Sequence, residues 1–200
     1  MNILILFEKT LSLAFWITMI FGFNSPYIAV LTIIAAIIHE LGHLVVIRVI
    51  LRRKNALLSS NISGFRIKTS GFSYKEEILA SLSGPIANII PAVIILLAFR
   101  GEYLRLFALL NLMTALSNLL PIEEYDGYKA VSALLSLLTN SPNAVDKFMS
   151  LASFSLSVVM CFLSLFLILK LGNGYWMFFI FFSLIIIKIK KRQKYTFYED

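Results

Sequence analysis

The sequence predicts an all-α membrane protein: a six-span helical bundle with a small β-hairpin in the loop between spans 2 and 3. Three observations carry this reading. The 200 residues are 59% hydrophobic, with a mean hydropathy of +0.85, whereas soluble domains are about half apolar. Several runs approach the ~20 apolar residues that cross a bilayer core. Finally, 15 of the 18 Lys and Arg residues fall on one side of a six-span arrangement.

The elements follow in order. Span 1 is expected at 10–24 and can reach back toward Ile3. Its context, "MNILILFEKTLSLAFWITMIFGF", has no basic start and no small-residue cleavage site, so it reads as a membrane helix rather than a removable signal. Span 2 is expected at 28–50. The loop 52–76 contains "NISGFRIKTSGFSYK", a β-branched and aromatic stretch punctuated by glycine, which is the pattern of a hairpin. Spans 3 and 4 are expected at 77–98 and 103–120. Pro121 ends the fourth, Asp126-Gly127 is a turn signal, and a short helix, 127–138, follows. Spans 5 and 6 are expected at 148–170 and 174–190. The chain is expected to form a single domain, 1–200.

The charge pattern orients the bundle. Lys and Arg concentrate in cytoplasmic loops, so both termini are placed in the cytoplasm. "KIKKRQK" (188–194) is then a topological anchor, and the net charge of +7 does not call for nucleic acid. The loops on the other side, "FNSPY", "RGE" and "LGNG", are too short to hold a domain. A multi-pass chain in a cell membrane, most simply a bacterial one, is the expected setting, with the lipid bilayer as partner. The single cysteine, Cys161, lies in an apolar run and cannot form an intramolecular disulfide.

Span 2 contains "IIAAIIHELGHLVVI" (33–47), and its His39 and His43 are the only histidines in the chain. Four residues apart on a helix, they share a face one turn apart. Two such imidazoles can share one Zn²⁺. Glu40 is turned about 100° from His39, so it flanks the metal and can take a proton from water there. This is the HExxH arrangement of metalloproteases. His39 lies about 13 Å along the helix from Arg48, within the hydrocarbon. An ionisable residue there costs about 2.5–3.5 kcal/mol and marks function by default.

A catalytic zinc ion has three protein ligands, and there is no third histidine, so the third must be a carboxylate or Cys161. Most carboxylates lie near the chain ends, in exposed loops or on the opposite side. Glu123, Glu124 and Asp126 remain, in "SNLLPIEEYDGYKA" at the cytoplasmic end of span 4. Polar residues also mark inward faces: Ser81, Gly84 and Asn88 on span 3, and Asn111, Thr114 and Asn118 on span 4. For Ser81, Asn88 and Asn111, joining helices is at least as good a reading as lining a cleft.

With HELGH (39–43), GPIAN (84–88) and NLLPIEEYDG (118–127) in place, the chain resembles the site-2 protease family of intramembrane zinc metalloproteases. The resemblance covers roughly residues 28–138. It implies that His39, His43 and Asp126 hold one zinc ion and that Glu40 activates water. It also implies that Asn118 positions the substrate backbone or transition state, with Gly84, Pro85, Asn88, Asn111 and Pro121 as cleft lining. Glu123-Glu124-Tyr125 stands where the family usually has apolar or proline residues. The nearer match is the six-span branch typified by stage IV sporulation protein FB, which cleaves an inactive sigma-factor precursor. Neither a PDZ nor a CBS domain is expected. The implied substrate is a membrane-spanning or membrane-associated protein, and a membrane regulatory partner is a further expectation. The rival readings are another membrane zinc peptidase, such as one acting on prenylated proteins, and a non-catalytic adaptor or metal transporter.

Overall fold

The computed structural model describes residues 26–52, 58–61, 64–67, 71–172 and 175–196. The expected span 1 lies outside them. Helix α1, Pro26–Val45, begins on proline, which suits the first turn because its missing N–H is not needed there. It runs on into a π-helical segment, Val46–Ile50, where Leu51 N–H donates to Val46 O at 2.9 Å. That five-residue step widens the last turn. Ala35, His39, His43 and Ile47 are all buried. Their four-residue spacing makes one stripe along the helix.

Strands β1, Leu58–Asn61, and β2, Gly64–Ile67, pair antiparallel. They lie in the segment where the sequence predicts a hairpin. Helix α2, Tyr74–Ala98, opens with a reciprocal cap: Glu76 N–H donates to Ser73 Oγ, and Ser73 N–H donates to Glu76 Oε2. Two of its otherwise unmade end bonds are thereby satisfied. Its buried face includes Ala80, Gly84, Asn88 and Ala92, again four apart. Small residues on such a face let helix backbones approach closely, and α1 packs against α2.

Helix α3, Glu102–Asn118, packs on both α1 and α2. The chain then turns through 119–125 into α4, Asp126–Thr139. Helix α5, Pro142–Leu171, starts with proline in its first turn and packs on α4 and on α6, Tyr175–Thr196. The expected span 5 therefore starts earlier than residue 148. "NSPN" supplies the helix start, with Asn140 in the left-handed region at the end of α4.

Three described helices are long and apolar enough to cross a membrane: Pro26–Ile50, Tyr74–Ala98 and Pro142–Leu171. The segments expected as spans 4 and 6 are helical too. However, α3 has 17 residues, and the apolar part of α6 is Met177–Ile186.

Candidate metal centre

Helices α1, α2 and α4 meet at His39, His43 and Asp126. The side chains come from distant parts of the chain, and all three residues are buried, with exposures of 5%, 8% and 6%. Asp126 Oδ2 lies 2.9 Å from His39 Nε2 and 3.0 Å from His43 Nε2, and the two Nε2 atoms are 3.2 Å apart. The rings stand nearly perpendicular, at 84°.

Neighbouring groups fix which ring nitrogen faces inward. Asn88 Nδ2 donates to Ala35 O and to Asn111 Oδ1. That turns Asn88 Oδ1 toward His39, whose Nδ1–H donates to it at 2.9 Å. On the other ring, His43 Nδ1–H donates to Ala80 O at 2.7 Å. Ser83 Oγ–H donates to the same carbonyl. Both Nδ1 protons are thus committed, and the Nε2 of each neutral ring presents a lone pair. Two such nitrogens and a carboxylate oxygen crowd one small space. They repel unless a positive charge lies among them, either an extra proton or a metal cation.

Asp126 is the first residue of α4, yet the cap residue before it, Tyr125, makes no side-chain cap bond. The carboxylate faces the histidines instead. Its other oxygen, Oδ1, accepts from Lys129 Nζ at 2.9 Å. Burial alone would raise its pKa; once the facing rings carry an added proton, hydrogen bonds from His39 and His43, with the Lys129 ammonium, hold it well below the usual carboxylate range. It is therefore a charged oxygen donor.

Two glycines make the approach possible. A Cβ on Gly84 would overlap ring atoms of both His43 and His39, so the wall opposite the histidines must lack a side chain. A Cβ on Gly127 would overlap the Leu119 carbonyl. There the chain leaving α3 passes directly under the start of α4, which brings Asp126 back to α1. The donor set of two imidazoles and a carboxylate suits a divalent cation, and the space between them is kept open by a glycine. The residues present fit a metal ion.

Among the described residues, the structure brings together His39, His43 and Asp126 as a group able to hold a metal; Glu123 and Glu124 are not in it. Glu40 is half-buried on the same helix, close enough to interact electrostatically with His39, His43, Asp126 and Lys129. Gly84, Pro85, Asn88 and Asn111 are buried around the site. Asn118 and Pro121 are half-buried, and the Asn118 amide donates to Thr114 O of its own helix. Lys129 went unnoticed in the sequence. The signal was there, because a cation three residues after an acid on a helix lies beside it.

No family model matches the chain, and no curated protein matches it in sequence. A solved structure does match: the site-2 protease from Methanocaldococcus jannaschii, at 20% identity and a TM-score of 0.62, covering 92% of this chain and 87% of that one. The chain has the fold of that protein.

Proposed function

We propose that the chain is an intramembrane zinc metalloprotease that hydrolyses a peptide bond of a membrane-spanning or membrane-associated protein. The supporting observation is the convergence of His39 Nε2, His43 Nε2 and Asp126 Oδ2, with the histidines on a helix of membrane-spanning length and Glu40 beside them. These three residues would hold the ion. Bound zinc supplies Lewis-acid polarisation of a carbonyl and makes water more acidic. Glu40 acts as the general base: it takes the proton of the attacking water and returns it to the leaving amine. Asn118 positions the substrate backbone, and the polar faces of α2 and α3 line the water path. The hairpin offers an edge to which an unwound substrate segment can add as a strand. In this reading the chain is one six-span domain with both termini in the cytoplasm, and a sporulation sigma-factor precursor is a candidate substrate.

The test is co-expression with a tagged model membrane substrate. Glu40→Gln is expected to bind metal normally and to lose activity by about 10²–10⁴-fold, the usual contribution of a general base. Asp126→Asn is expected to lose both metal and cleavage. Undiminished cleavage by Glu40→Gln would end the protease reading, and a metal-loaded but Glu40-independent chain would favour the adaptor or transporter.

A further inference from the structure

The loop 119–125 is gripped by α5 and α6, which contribute nothing directly to the metal centre. Glu123 N–H donates to Ser153 Oγ of α5 at 2.7 Å, and Ser153 is 1% exposed. Across the same loop, Lys188 Nζ of α6 lies 3.4 Å from Glu123 Oε2. It also donates to Ser150 O of α5 at 2.5 Å. Between these two grips Ile122 is buried, at 1% exposure. Ile122, Glu123, Ser153, Ser157, Leu184 and Lys188 line one small cleft where loop, α5 and α6 meet. The next residue, Glu124, has φ +94°, in the left-handed region that non-glycine residues adopt only when their surroundings enforce it. Two residues later comes Asp126.

We infer that Ser153 and Lys188 latch the loop, and that through it the C-terminal helix pair holds Asp126 at the histidines. The inference rests on the metal-centre reading. Asp126 sits at the first position of its helix, where a frayed turn would let it swing away. No cap side chain restrains that end. Restraint comes instead from the preceding loop, fixed at Glu123 through both its backbone and its carboxylate. Lys188 and Ser153 are thus positioning residues: they touch neither metal nor substrate. In a bilayer setting, an ion pair at the loop is screened less than one in bulk water.

The test uses the full-length protein in detergent, with Co²⁺ as a spectroscopic probe and hydrogen exchange over 119–125. Lys188→Met and Ser153→Ala are expected to speed exchange in that segment and to weaken Co²⁺ binding about tenfold, the lower end for partners that orient ligands. Lys188→Arg is expected to restore both. A double-mutant cycle with Glu123→Gln should show that Lys188→Met adds little once Glu123 is neutral. If Lys188→Met leaves Co²⁺ affinity within twofold of wild type, or Lys188→Arg fails to rescue, the latch is refuted. If the wild-type protein binds no Co²⁺, the metal-centre reading fails on its own, and unchanged exchange in Lys188→Met would then overturn the latch separately.

Discussion

Asn88 illustrates how one residue sets the chemistry of another. It is fully buried, as is Asn111, and its two amide protons go to Ala35 O and Asn111 Oδ1. Only its oxygen is left for His39, so His39 must donate from Nδ1 and face the site with Nε2. Asn88→Ala removes that constraint. Metal affinity is expected to fall about 10–100-fold, as it does when a ligand's hydrogen-bond partner is lost, while Asn111→Ala, one step further out, should cost less. Zinc titration in detergent would measure both. Gly84 makes a sharper case. In Gly84→Ala the new methyl group overlaps both imidazole rings, so the site should lose its metal even if the helix persists. Gly101→Ala is the control, because there a Cβ meets only Leu104, at 3.8 Å, and metal content should not change. Equal metal content in the two variants would show that the glycine at 84 does not keep the space open.

At the scale of elements, the helices were largely legible and the loop was not. Apolar run lengths marked α1, α2 and α5, because hydrocarbon thickness sets the length of a spanning helix. The start of α2 is three residues earlier than 77, at Tyr74. Ser73 and Glu76 carry the cap signature that would have located it. Ser73→Ala should cost about 1 kcal/mol, read as a lower unfolding midpoint in detergent with metal affinity intact; an unchanged midpoint would mean the cap contributes nothing there. The spacing of His39 and His43 needs only helix geometry, so that half of the site could be read directly. Asp126 was found by eliminating other carboxylates and by a family spacing, since no local rule brings residue 126 to residue 39. Asn88 and Asn111 read as helix glue, and they do join helices. Their hold on His39 depends on packing between segments 49 residues apart in sequence, which no periodicity encodes. The grip of Ser153 on Glu123 likewise joins residues 30 apart in sequence.

At the scale of the whole molecule, many large apolar side chains of the described residues face outward. Leu97, Leu169, Phe162 and Val159 are 83%, 77%, 68% and 59% exposed, while Asn88, Asn111, Ser164 and Ser153 are at or below 1%. In water this arrangement would be unstable, because burying apolar surface is the main driving force of folding. In lipid it is the stable one: tails cover the leucines, and small and polar residues fill helix contacts. The site depends on it, because a buried His–His–Asp group needs neighbours that can hydrogen-bond, and Asn88 and Ser83 are among them. Phe162 and Ser157 on α5 separate the two surfaces. Phe162→Arg places a charge on the outward face of a 30-residue helix and should raise the cost of insertion by about 2.5–3.5 kcal/mol. Ser157 is 4% exposed and donates to Ser153 O, so Ser157→Ala should insert as wild type does. A glycosylation-mapping assay on α5 reports both. If Phe162→Arg inserts as efficiently as the wild-type segment, that face does not meet lipid, and the outward apolar surface must be covered by protein instead.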